Sequence, residues 1–137
     1  SPLAFIITGV NESILYMTDT GYVSQKNRKY LNNLDYYIIE SNHDVEMLMA
    51  TKRPYFLKQR IHGDLGHLNN EYSAKMMVEL IGDKTKEIVL AHLSEEANTK
   101  EKALETYRKI FNQNNLEFDN IKVASQIDVV SGGNYED

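Results

Sequence analysis

The 137-residue sequence contains no cysteine, which excludes disulfides, thiolate metal sites and cysteine nucleophiles. Only two prolines and seven glycines are present, so the chain is dense in regular structure. No apolar run approaches the ~18 residues that would suggest a membrane span, and no cationic, apolar signal pattern opens the chain. Repeats and low-complexity blocks are missing as well. Positive charge is not in surplus: fifteen Lys and Arg face twenty Asp and Glu, a net of −5. That balance disfavours a globally basic nucleic-acid binder but leaves room for a local basic patch. What is there suits one domain, with 42% hydrophobic and 26% charged residues. At this length a chain buries roughly 68–70% of its unfolded surface. The expectation is a soluble, cytoplasmic domain with no membrane contact. Any metal chemistry must rest on four histidines and the carboxylates.

Two apolar runs, Leu3–Thr8 and Ser13–Met17, flank a Gly/Asn turn and read as a β-hairpin. Asp19 follows the second strand, and carboxyl ends of strands are where α/β folds place their sites. A helix is expected from Ser24 to Leu34, then a buried strand over Asp35–Glu40. Short helices follow at Val45–Thr51 and, after Pro54, at Tyr55–His62. Asn69 or Asn70 can cap the next helix, with Ala74, Met77, Val78 and Ile81 inward and Gly82 as its stop. Glu87–Leu90 reads as another buried strand, Thr99–Gln113 as the clearest helix, and Ile121–Ser125 as a last strand. Residues 131–137 form a polar tail expected to be disordered. The order is that of an α/β layer. Each central strand ends in a polar cluster: Asp19, then Glu40 with Asn42 and His43, then His92. His67 opens a helix close by.

The motifs TDTG, ESNHD, GHLNNE and AHLS, in that order and with LKQRI between them, resemble the C-terminal half of a metallo-β-lactamase-fold hydrolase, nearest to the YycJ/WalJ group. The resemblance runs from about Pro2 to Lys109. It implies an αβ/βα sandwich, a mixed sheet layered with helices, with two divalent metal ions, zinc or manganese, at one edge. Asp19 matches the carboxylate that bridges the metals, and His92 matches the last histidine ligand. A similar order of motifs in ribonuclease Z pairs an acid with the Gly-His histidine near the leaving group, which falls here on Glu40 and His67. A bridging carboxylate lets two cations sit ~3.5–4 Å apart and generate hydroxide near neutral pH. A carboxylate beside an imidazole orients it and favours its protonated form, ready to donate to a leaving oxygen.

The superfamily's main metal motif, His-x-His-x-Asp-His, is absent. Residues 1–137 are therefore expected to be a single partial domain that lacks its N-terminal half, holds metal weakly or not at all, is inactive alone, and self-associates through an uncovered sheet face. The function implied is phosphodiester cleavage, a DNA exonuclease in the complete enzyme. A small-molecule ester, thioester or lactam hydrolase and a non-catalytic interaction module are the alternatives. Lys52, Arg53, Lys58 and Arg60 form an acid-free basic cluster with Tyr55 and Phe56 among them, suited to a nucleic-acid backbone. The same cluster is equally readable as a solvated helix face. Asp44 is readable either as a site residue or as a helix cap, and the methionines at 47, 49, 76 and 77 as core filling.

Overall fold

The two apolar runs pair as a hairpin in the computed structural model, which describes residues 3–8, 12–18, 31–62 and 67–124. Strand β1 (Leu3–Thr8) lies antiparallel to β2 (Ser13–Thr18), with Thr8 opposite Ser13 at the turn. Three further strands join in sequence order, all parallel: β3 (Tyr36–Glu40), β4 (Glu87–Ala91) and β5 (Ile121–Val123). The carboxyl ends of β3 and β4 come level, Glu40 opposite Ala91. Their amino ends are tied together by Asp35. Its Oδ2 accepts from the Ser13 N–H at 2.8 Å and from Ser13 Oγ at 3.1 Å, and its carbonyl accepts the Lys86 N–H at 2.7 Å. The Ser13 N–H, with lysines 84 and 86 nearby, holds the Asp35 carboxyl below the usual aspartate range.

The helices begin where the sequence offers a side-chain acceptor to an orphan N–H. Asp44 caps α1 (Val45–Ala50) by accepting from the Met47 N–H, which settles Asp44 as a cap. Helix α2 (Tyr55–His62) starts behind Pro54, whose carbonyl accepts from Leu57 and Lys58. Asn69 caps α3 (Asn70–Leu80) and Thr99 caps α4 (Lys100–Gln113). Helix α4 ends through Asn115 in the left-handed conformation (φ 58), with the Leu116 N–H reaching back to the Phe111 carbonyl at 3.0 Å.

Alternation along the strands sets the core. Leu15 and Met17, Tyr37 and Ile39, Ile88 and Leu90 share one buried cluster with Met76, Met77 and Leu80 of α3 and Ala103, Tyr107, Ile110 and Phe111 of α4. Ile14, Tyr16, Ile38 and Val89, on the opposite face, are only half-buried. Burial pushes the Tyr37 hydroxyl up to about 12; it donates to the Leu31 carbonyl at 2.6 Å and accepts from the Leu34 N–H.

Several boundaries differ from the sequence reading. Of the helix expected over Ser24–Leu34, residues 24–30 lie outside the described residues. Leu31 is helical, but the chain leaves the helix at residue 32 and turns at Asn33 (φ 52). Gly82 does not stop α3 through a left-handed turn. The cap is Ile81 in an extended conformation, and a Cβ at Gly82 would come within 2.4 Å of Asn33 Oδ1, so any other residue there would displace the Asn33 side chain. Met76 and Met77 fill the core, whereas Met47 and Met49 are only half-buried beside the fully buried Leu48. Ser125 and the tail 131–137 lie outside the described residues. Among the described residues no helix is long and apolar enough to cross a membrane.

Candidate active site at the carboxyl edge of the sheet

Glu40 is the last residue of β3, and alternation turns it away from Ile39 and the helix-covered core. Its side chain is nonetheless fully buried, at 0% exposure, because three segments close around it. Oε1 accepts from the Leu68 N–H at 2.7 Å, Oε2 lies 2.7 Å from His67 Nδ1, and His92 Nδ1 stands 3.8 Å from that same Oε2. A buried carboxylate is tolerated when donors meet both oxygens, as they do here. The carboxylate also fixes the His67 tautomer, since an acceptor against Nδ1 requires a proton there. His67 and His92 are 37% and 39% exposed, so both rings are open to solvent on the side away from Glu40.

The loops after β3 and β4 and the start of α3 are laced together. Ser41 donates from its backbone to the Ala91 carbonyl, Asn42 to Leu68, Asn70 to His43, and Ser94 to Asn42. Beneath them lies a polar knot that nothing in the sequence singled out. Asn70 and Asn98 exchange amide hydrogen bonds at 2.9 and 2.8 Å, Ser41 Oγ donates to Asn70 Oδ1, and Asn98 Nδ2 also reaches the Ser41 and Asn42 carbonyls. His43, flagged as near the site, is buried beside Asn42 rather than open to the cleft.

An open cleft of about 350 Å³ adjoins the pair, with Asn42, Arg53, His67 and Ser94 in its lining. Of the basic cluster, Arg53 faces this cleft with its Nε 3.1 Å from Glu96 Oε2. Lys52 is exposed. Lys58 instead turns its ammonium onto the Met49 carbonyl at 2.7 Å, closing the end of α1. The side chains of Phe56 and Arg60 lie outside the described residues, as does Asp19. The structure thus brings Glu40, His67, His92 and Asn42 together and sets Arg53 beside them. Although Glu40, His67 and His92 gather, no group of three His, Asp or Glu side chains among the described residues could hold a metal ion. A catalytic zinc normally has about three protein ligands, so the described residues by themselves do not fit a metal centre.

No family model matches the chain. Comparison with curated proteins is more telling. The chain is 50% identical over 93 residues to exodeoxyribonuclease WalJ of Streptococcus pneumoniae, taking in 68% of this chain and 35% of that protein. It is 42% identical over 102 residues to exodeoxyribonuclease YycJ of Bacillus anthracis, or 74% and 39% of the two. Over that stretch the chain is similar to the YycJ/WalJ group. The fold agrees. The metallo-β-lactamase-fold protein YhfI of Bacillus subtilis matches with a TM-score of 0.60 over 89% of this chain and 41% of that one, at 17% identity. The sheet and helices described above are therefore those of a metallo-β-lactamase fold. The chain spans little more than a third of the length of the YycJ and WalJ relatives. In this segment, the buried acid and the histidine that it orients are the best-built chemical feature among the described residues.

Proposed function

We propose that this chain supplies the acid–base side of a phosphodiesterase acting on DNA, an exonuclease whose leaving oxygen is protonated by His67. The observation that carries the reading is the fully buried Glu40 carboxylate bonded to His67 Nδ1 at the mouth of a cleft that Arg53 also faces. Identity to two exodeoxyribonucleases supports the substrate class. Glu40 holds one ring nitrogen, so Nε2 is the one that meets substrate. The ring donates in its doubly protonated form, with Nδ1–H still on Glu40: as water oxygen bonds to phosphorus, the bond to the leaving sugar oxygen breaks, the Nε2 proton passes to that oxygen, and the proton released by the attacking water goes to solvent. The Arg53 guanidinium, with five N–H donors, can exchange Glu96 for a backbone phosphate, and the exposed Lys52 is its neighbour in sequence.

The two divalent metals implied by the family would supply hydroxide and neutralise phosphate charge. Asp19 and His92 are the ligands that the resemblance offers, which is too few, and no step above depends on them. The reading includes a C-terminal half of an αβ/βα sandwich, completed by an N-terminal half. The share of YhfI that this chain covers, 41%, supports it. A cytoplasmic place follows from a DNA substrate in bacteria such as those that carry the relatives.

The test is cleavage of end-labelled DNA by the protein that carries this chain. His67→Ala should slow turnover ~10²–10⁴-fold, and a substrate with a better leaving group should recover part of that loss. Turnover unchanged by the substitution would reject His67 as the proton donor.

A further inference from the structure

Asn42 has no part in the proton transfer proposed above, yet it joins the segments that carry the histidines. Its Nδ2 donates to the His92 carbonyl at 2.8 Å, and its Oδ1 lies 3.1 Å from His43 Nδ1. A carbonyl oxygen only accepts, so the amide nitrogen must face His92 and the amide oxygen must face His43. The proton of the fully buried His43 therefore sits on Nδ1. The backbone of Asn42 is engaged as well: its N–H donates to Leu68, and its carbonyl accepts from Ser94.

The residue gripped at the other end is conformationally costly. His92 has φ 58, in the left-handed region. Side chains enter that region seldom, at a cost of about tenfold, although asparagine, aspartate and histidine do so several times more often than the rest. The other left-handed residues among those described are both asparagines, Asn33 and Asn115, which adopt it readily. The conformation has a geometric consequence. Were β4 to run on, alternation would aim residue 92 to the helix-covered face, with Leu90 and away from Glu40. Instead the chain turns and the ring comes back, with Nδ1 3.8 Å from Glu40 Oε2, the oxygen that His67 also meets.

We propose that Asn42 is a positioning residue, whose side-chain amide holds His92 in the left-handed conformation that returns its ring to the Glu40–His67 pair. The proposal rests on that pair being the reaction centre. It gives a function to the Asn-His step after β3 without making either residue a ligand or an acid.

The test uses Asn42→Ala and Asn42→Asp in the protein that carries this chain, each with and without His92→Gly. Asp keeps an acceptor for His43 but sets an oxygen against the His92 carbonyl, so it breaks the brace and spares the His43 bond, whereas Ala loses both. Without the brace a histidine at 92 can relax out of the left-handed conformation and recover its strain, while glycine carries none to recover. In the His92→Gly background, loss of the brace should therefore raise the unfolding constant by the full worth of one hydrogen bond, roughly two- to tenfold. With His92 present the same change should cost several-fold less. The His92 ring resonances should move in Asn42→Asp while those of His67 stay in place, and kcat for DNA cleavage should fall with KM unchanged. Equal losses in both backgrounds, with the His92 ring unmoved, would overturn the proposal. Should His67→Ala leave cleavage intact, the reaction centre is misplaced, yet the stability cycle and the ring resonances still decide whether Asn42 is the brace.

Discussion

Replacing Glu40 by glutamine separates two tasks that one carboxylate performs. Oε1 accepts from Leu68, whose N–H is buried and can only donate; Oε2 accepts from His67 Nδ1. A glutamine of the same shape must keep its oxygen toward Leu68, so its amide nitrogen falls against His67. Two donors then face each other unless the ring gives up its Nδ1 proton and carries it on Nε2. The Leu68 bond survives, and the loss is that of one charge-assisted hydrogen bond, about 1.5–3 kcal/mol. Glu40→Ala goes further, because it also strands the Leu68 N–H, at about 1–3 kcal/mol more. Urea unfolding should therefore rank wild type above Glu40→Gln and Glu40→Ala last. Turnover should not follow that ranking. A ring with an unprotonated Nδ1 is no longer stabilised as a cation by its neighbour, so Glu40→Gln should lose most of what His67→Ala loses, though somewhat less. The double substitution should cost little more than His67→Ala, since the pair acts as a unit. Long-range ¹⁵N–¹H spectra of the histidine rings report the tautomer directly. If Glu40→Gln kept the Nδ1–H form of His67, or held turnover within a few-fold of wild type, the argument that Glu40 sets the state of His67 would fail.

Asp35 gives a pH prediction. Its carboxyl is held below the ordinary value of 3.8, so the stability it contributes is full above that pH and is lost as pH falls through the lower folded value. Asp35→Asn should flatten the decline of the urea midpoint below about pH 4 relative to wild type; parallel declines would count against the Ser13 bond as its source. Asn98→Ala removes a buried amide that serves Ser41, Asn42 and Asn70, and stranding such groups costs about 1–3 kcal/mol each. A calorimetric loss under 1 kcal/mol would show that water replaces the amide. Zinc or manganese should bind this chain weakly, and calorimetry showing two tight sites would mean that ligands outside the described set, Asp19 first, complete them. Self-association is expected through the half-buried face of Ile14, Tyr16, Ile38 and Val89; a monomer by light scattering at micromolar concentration would speak against it.

Local signals carried most of the fold. The hairpin, the helix Tyr55–His62 and an asparagine cap at 69 or 70 follow from residues within four positions of each other, and they were legible for that reason; Thr99, read as the first residue of its helix, is that helix's cap. The end of α3 at Gly82 was legible to within a residue, but the close approach of the Asn33 side chain to Gly82, 49 positions away in sequence (82 − 33), was not. At the site, the family resemblance was enough to pair Glu40 with His67. It was not enough to place His92 beside the same oxygen, to turn Lys58 onto a carbonyl, or to reveal Asn98. Those outcomes depend on three-dimensional neighbours with ordinary polar side chains, whose identity carries no signal of its own.

The polar knot under the site has a physical reason that bears on the chemistry. The β3–β4 pairing ends at Glu40 and Ala91, and the backbone groups of 41–43, 67–70 and 92–94 lie outside its ladder while still being partly buried. Each such group must find an acceptor or donor or weaken the fold. Asparagine offers both on one planar amide, and Asn42, Asn70 and Asn98 between them satisfy backbone and side chain across all three segments. Among the described residues no buried side-chain nitrogen or oxygen is left without a partner. An apolar filling would leave these loops free to shift, and a shift of about 1 Å at a reacting group can cost on the order of 10²-fold in rate. The knot is therefore what allows irregular backbone to hold a histidine at hydrogen-bonding distance from a buried acid. Its loss should loosen the site before it unfolds the sheet.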